Sequence, residues 1–190
     1  MPWRRRSKAA APAPEKKSAL RENLESILWA VTIAVVIRTF FIAPFKIPSG
    51  SMRPTLIEGD RILVSKILYR LRPPQRGEIV VFRSPENPKR PFIKRLIGIG
   101  GDHVQILDGR IVLNGRPVDL PVIRETYYYN YGAYGQEGQT IDVPLENFYV
   151  LGDNSSSSQD SRFWGFVPRR LMIGRALYIF WLPWRIRKLQ

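Results

Sequence analysis

The sequence contains no cysteine and a single histidine, His103. The first absence excludes disulfides, thiol nucleophiles, iron–sulfur clusters and cysteine-based zinc sites. The second excludes histidine-rich metal centres and the paired-histidine metalloprotease pattern. Acidic residues are scarce as well, 16 Asp and Glu against 30 Lys and Arg, for a formal charge of +14. No long amphipathic helix follows residue 46, and no internal repeat is present. Hydrophobic residues make up 44% of the 190 residues and aromatics 12%. That excludes collagen-like, coiled-coil and fully disordered chains and leaves material for one modest domain with accessories.

The basic excess admits three partners: nucleic acid, an anionic membrane surface, or an acidic substrate. Its placement helps to separate them. Residues 1–23 hold seven basic residues and two acidic ones around the run AAAPAP, which reads as a solvated, disordered arm. Residues 24–45, LESILWAVTIAVVIRTFFIAPF, then carry no charge between Ile27 and Ile37. A bilayer needs about 20 apolar residues. Residues 26–45 supply that length with one interruption, Arg38, close enough to the end to reach the headgroups. A buried core helix and a cleaved signal peptide are the alternatives. The run is longer than most core helices and apolar all round, and FKIPSG after it lacks a small-x-small cleavage site. The segment therefore reads as an uncleaved signal anchor, arm cytoplasmic, residues 46–190 outside.

Those remaining residues read as mostly β. Strand-like runs are Arg61–Ser65, Glu78–Arg83, Phe92–Ile99, His103–Leu107, Arg110–Leu113, Phe148–Leu151 and Gly174–Leu182, with Asp108-Gly109 as a hairpin signal. Residues 121–140 break the pattern with five tyrosines and three glycines. They read as an exposed loop, or as an aromatic loop that helps bind an extended peptide. The C-terminal FWLPWRIRK mixes aromatic and basic residues, either as an interfacial contact or as a strand end followed by a frayed tail.

Three segments carry candidate chemistry. PSGSMRPTL follows the anchor, and its glycine frees the backbone to expose Ser51; alone, such a turn is usually only a turn. A serine nucleophile needs a base. His103, at a strand start, reads as a surface residue. The other common base is a desolvated lysine. In FIKRLIG, strand alternation sends Lys94 and Arg95 to opposite faces, so one points inward or into a cleft, unless both are charges on an edge strand. GDNSSSSQDSRFWG is either a polar surface loop or a support for such a site.

In this order behind an apolar anchor, PSGSMRPTL, KRLIGIGGD and GDNSSSSQDSRFWG resemble the type I signal peptidases of bacteria, over about residues 22–182. The resemblance implies a mainly β fold: one transmembrane helix, then a coiled β-sheet catalytic domain shared with repressor-type Ser–Lys proteases. It implies Ser51 as nucleophile and Lys94 as general base. Ser49 would serve the oxyanion hole beside the Ser51 N–H, Ser158 would orient Lys94, and Asp160 and Arg162 would form a supporting ion pair. Phe45, Ile47, Pro48, Met52, Leu56, Phe92 and Ile93 would line the substrate pockets. The implied reaction cuts preproteins after Ala-x-Ala-like sites. No metal or organic cofactor is needed, and the expected partners are signal peptides and membrane lipid, with no nucleic acid. The expected state is a monomer, single-pass in the plasma membrane, with its domain on the periplasmic side. Endoplasmic-reticulum members carry His where this chain has Lys94. Ser155 and Ser156 depart from an Arg-Asp pair in many relatives, and the short segment between the second and third motifs leaves no room for large accessory subdomains.

Overall fold

The computed structural model describes residues 19–189. They fall into two compact units, one ending at Ile37 and the other beginning at Arg38. Residues 1–18, most of the expected basic arm, lie outside the described residues.

The first unit is helix α1, Ala19–Val36, which continues through a π-helical turn at Ile37–Phe41. Leu20–Phe41 is a 22-residue stretch with mean hydropathy 1.8, about 33 Å long at 1.5 Å per residue. That is long and apolar enough to cross a membrane. Ser26 and Thr32 satisfy their hydroxyls internally, on the Glu22 and Leu28 carbonyls at 2.8 Å. The side chains of Leu28, Trp29 and Ile33 are more than half exposed, unlike those of a core helix. The apolar run 26–45 is not helical to its end. Pro44 has no N–H to give and disfavours helical backbone at Ala43, and Ile42–Lys46 form strand β1 instead.

The second unit is built from strands. After β1 come β2 (Arg61–Ser65), β3 (Ile79–Arg83), β4 (Pro91–Ile99), β5 (His103–Leu107) and β6 (Arg110–Leu113). Then follow β7 (Arg116–Pro117), β8 (Ile141–Asp142), β9 (Asn147–Leu151), β10 (Val167–Pro168), β11 (Met172–Trp181) and β12 (Arg187–Lys188). The helices here, α2 (Leu68–Leu71), α3 (Pro121–Arg124) and α4 (Ser161–Trp164), are single turns. The fold is mainly β, as the sequence suggests. The strand-like runs appear with ends shifted by no more than two residues.

The larger sheet is antiparallel in the order β1-β2-β11-β3-β4-β9-β10, with β12 also on β11. The smaller sheet has the order β7-β6-β5-β8. Its hairpin turns are Asp108-Gly109 and Asn114-Gly115, all four residues at positive φ, which matches the twist of the strands they join. The segment 121–140 is more than an exposed loop. Tyr128 and Ile123 enter the core beside Ile106 and Ile111, while Tyr127, Tyr129 and Tyr131 form an outward aromatic row.

Two features of the larger sheet position the site. First, β1 and β4 stand first and fifth in strand order, about 19 Å apart in a flat sheet at ~4.8 Å per strand. Residues of both line one cleft, so the sheet curls. Second, both present an unpaired edge. β1 pairs only with β2, and residues 91–94 of β4 pair with β3 while β9 takes Arg95–Ile99.

The C-terminal segment is not a frayed tail. After β11 a turn at Pro183–Arg185 brings Arg185 onto Asp60, with both hydrogen bonds at 2.8 Å. Asp60 is fully buried. Burial pushes its carboxyl up, but Arg185 and the Ile57 N–H outweigh that and hold it below the usual range. Arg185→Ala leaves a buried carboxylate without its cation. Because Arg185 is 21% exposed, the expected cost is about 2 kcal/mol, below the ~3–5 kcal/mol of a fully buried pair. Denaturant unfolding measures it; an unchanged midpoint would show the tail to be ornamental.

Candidate active site

Ser51 sits in a single helical turn, Gly50–Met52. Ser49 precedes it in extended conformation, exposed, and its hydroxyl makes no capping bond to the turn. The segment 152–154 holds this turn from behind. The Asn154 N–H donates to the Ser51 carbonyl and Asn154 Nδ2 to the Gly50 carbonyl, each at 3.0 Å. Gly152 is required for the approach: a methyl there would lie 2.2 Å from Ser158 Oγ and 2.5 Å from the Ser51 carbonyl oxygen.

Lys94, in the middle of β4, brings its Nζ to 2.6 Å from Ser51 Oγ. The lysine is 4% exposed. Burial is the main cause of a pKa lowered to about 8. Asp160 and Asp153 pull it upward and Arg162 downward, without overturning that effect. Each of those carboxylates already faces its own arginine. Asp160 takes Arg162 Nε and Nη2 at 2.8 Å, both residues being fully buried. Asp153 takes Arg95 Nε at 2.7 Å and Nη2 at 2.6 Å, again buried. Alternation allowed one inward charge on β4, yet both Lys94 and Arg95 are buried, because each face of the strand is covered.

The two ion pairs also brace the loop. Asp160 accepts the Gly152 N–H at 3.0 Å. Arg162 donates to the Tyr129 carbonyl and to Ser155 Oγ, and Ser155 Oγ accepts the Tyr129 N–H. Ser155 thus serves as a hub between the loop and the tyrosine-rich segment. Thr55 Oγ1 donates to Asp153 at 2.5 Å. Ser158 Oγ is buried and makes no hydrogen bond. Arg95, Asp153, Thr55 and Asn154 were not singled out from the sequence. Their partners in the site lie 58 to 104 positions away, and only the adjacency of Arg95 to Lys94 hinted at one of them.

The cleft around Ser51 and Lys94 has a volume of about 600 Å³. Phe45, Ile47, Pro48, Ser49, Met52, Phe92 and Ile93 all line it, together with Lys46, Arg90, Pro91, Ser157 and Gln159. Leu56 does not. It is fully buried and packs beneath with Ile62 and Val64. Ser158, Asp160 and Arg162 do not line the cleft; all three are buried. His103 lies elsewhere, 62% exposed, with Nδ1 2.5 Å from Asp142. No cluster of metal-ligating side chains occurs among the described residues.

Such a site, a serine hydroxyl against a desolvated amine with an open groove beside it, can transfer acyl groups. The chain matches the family model described as "Signal peptidase, peptidase S26" over residues 20–181. It is 43% identical to "Signal peptidase I" of Leptolyngbya laminosa over 179 residues, 90% of this chain and 85% of the relative. It is 42% identical to "Probable signal peptidase I-2" of Synechocystis over 177 residues, 88% of this chain and 78% of the relative. A crystal structure of a signal peptidase I from Enterococcus faecalis is similar at 31% identity and a TM-score of 0.45, covering 55% of this chain and 97% of that one.

Burying Lys94 also bears on stability. Its folded pKa of about 8 lies below the ordinary 10.5, so the unfolded chain binds more protons between those values. Stability therefore rises with pH across that window, and the cost is fully present below pH 8, about 3 kcal/mol at 1.36 per unit. Lys94→Met is expected to stabilise the protein by about 2 kcal/mol at pH 7, after the lost Ser51 hydrogen bond is deducted. Urea unfolding at pH 7 and pH 10 checks it: the gain should shrink at the higher pH. A destabilised variant at pH 7 would contradict a desolvated amine with a lowered pKa.

Proposed function

The chain belongs to the S26 signal peptidases and is a serine peptidase that removes signal peptides from preproteins; on that premise we propose that it works as a membrane-anchored Ser–Lys enzyme. The reading rests on one observation above all, the 2.6 Å approach of Lys94 Nζ to Ser51 Oγ in the floor of an open cleft.

Ser51 Oγ attacks the carbonyl carbon of the residue before the scissile bond, and its proton passes to the neutral Lys94 amine. With a pKa of about 8, roughly one Lys94 in ten is neutral at pH 7, against about one in 2,500 for an ordinary lysine. The developing oxyanion is met by the Ser51 N–H and the free hydroxyl of Ser49, each such donor being worth about 3 kcal/mol. The Lys94 ammonium then protonates the departing amine. Water, deprotonated by Lys94, releases the acyl group. Once Ser51 Oγ is acylated, Lys94 needs another partner, and the unpaired hydroxyl of Ser158 supplies it. Asp160 and Arg162 fix the loop that carries Ser158. No metal or organic cofactor takes part.

The substrate lies extended along the free edges at 45–48 and 91–94, as an added strand. Alternate residues then face the enzyme. The residues at −1 and −3 enter the pockets walled by Phe45, Ile47, Pro48, Met52, Phe92 and Ile93, and −2 faces away. Leu56 supports the floor from beneath. The arm ending at residue 23 stays cytoplasmic, and the domain works as a monomer on the periplasmic face of the plasma membrane, touching lipid and no nucleic acid.

Three measurements test this. Ser51→Ala and Lys94→Ala should each lose nearly all preprotein cleavage, the double variant little more, and His103→Ala should keep most of it. For the wild type, kcat/KM should rise about tenfold per pH unit below about 8 and then level, because only the neutral amine accepts the proton. An active Lys94→Ala, or a profile flat from acid to alkali, would refute the lysine base. In a peptide series, Ala, Gly or Ser at −1 should be cut, Leu or Phe should not, and −2 should be permissive. Ile93→Ala should admit larger residues at −1. Strict selection at −2 would misplace the substrate strand.

A further inference from the structure

A second cavity, about 580 Å³, opens on the other side of Phe45, the one residue it shares with the catalytic cleft. Five cations line it: Lys66, Arg70, Arg83, Arg169 and Arg170. No Asp or Glu does. Arg169 reaches Glu146 at 3.5 Å, with both side chains about half exposed or more. Arg70, Arg83 and Arg170 have no carboxylate within ion-pair distance among the described residues. Glu78, which accepts the hydroxyl of the lining residue Tyr69, is already held by Arg72 and Arg175. Five like charges around one hollow repel one another, and an anion seated there removes that repulsion.

The position of the cavity says which anion. Lys66 Nζ donates to the carbonyls of Arg38 and Thr39 at 3.3 and 3.2 Å, and the Lys66 N–H to the Phe41 carbonyl at 2.9 Å. These are the last turns of the apolar span, which ends at Phe41. Ala43, also in the wall, follows two residues later, within about 7 Å of that end for any orientation of the helix. A bilayer crossed by the helix therefore brings its headgroups to the mouth of the cavity. Beside the cations the wall is apolar, with half-buried Leu171 and Met172, suited to the first carbons of an acyl chain.

We propose that this cavity is a binding site for the headgroup of an anionic membrane glycerolipid, held by Arg70, Arg83 and Arg170 with Lys66 bridging to the end of the span. Basic pockets at the ends of spans recognise such headgroups through charge-assisted hydrogen bonds. The proposal rests on the membrane anchoring proposed above. An acidic stretch of preprotein is the competing occupant. It is disfavoured because the peptide edges that would guide a preprotein lie in the other cleft.

The test uses the full chain in dodecyl maltoside with equal phosphatidylglycerol and phosphatidylcholine, and native mass spectrometry as readout. The wild type should retain one phosphatidylglycerol in preference to phosphatidylcholine, and millimolar inorganic phosphate should not displace it. The exposed triple substitution Arg70→Gln, Arg83→Gln, Arg170→Gln should lower that preference about tenfold or more, with an unchanged unfolding midpoint; Arg83→Gln alone should give a smaller loss. Equal retention of the two lipids, displacement by phosphate alone, or an unaltered triple variant overturns the proposal. So does a triple variant that keeps its lipid but shows a raised KM for preproteins with acidic stretches. Carbonate extraction of vesicles separates the two readings. Release of the wild type refutes the anchoring itself, whereas membrane retention without lipid preference refutes this site alone.

Discussion

Lys94 is an amine taken out of water with no carboxylate of its own. Folding normally forbids such a burial or compensates it with an opposite charge. Here the compensation is withheld. Two carboxylates stand close enough to raise the pKa of Lys94, but Arg162 occupies one and Arg95 the other. Arg162 offsets Asp160 as seen from Lys94, and desolvation remains the largest influence on its protonation. The four buried ionic groups are therefore less a source of stability than a means of leaving the pKa of a fifth group to its burial. The same pairs hold the loop whose Asn154 clasps the serine turn, so the electrostatics and the geometry of the site have one origin.

The curl of the larger sheet follows a similar economy. An open sheet leaves edges that invite aggregation. Here two of its unpaired backbone rows are brought to the walls of one cleft. Ile93 and Phe45 then project beside the free peptide groups, so a peptide that pairs with the backbone must also pass the side-chain walls. On the proposed path of the substrate, binding through the main chain and discrimination through side-chain size become parts of one act.

Strands with their own turn chemistry were legible in the sequence: the β5–β6 hairpin needs only Asp108-Gly109 and alternation to declare itself. β1 was not, because its apolar residues continue the helical run and only Pro44 separates the two. The two-residue strands β7, β8, β10 and β12 exist by virtue of their partners and have no local pattern. Ser51 and Lys94 stood out through motif and environment. The Arg95–Asp153 pair was hidden, because Asp153 reads as a polar loop residue until folding sets it 58 positions back against β4. Leu56 lay in a recognisable motif, but burial beneath the cleft depends on the curl of the sheet, and no spacing rule reports that.

The join between Phe41 and the cleft is very short. Phe45 follows four residues after the span ends, a leash of at most about 14 Å even when fully extended, and Lys66 shortens it further by gripping the helix end. On the proposed anchoring, the enzyme works at a fixed altitude above the bilayer. A bond displayed far out in the aqueous phase is out of reach whatever its flanking residues. On that anchoring the membrane becomes a measuring stick, and a sequence that fits the cleft but lies in the body of an exported protein escapes cleavage by being too far from it.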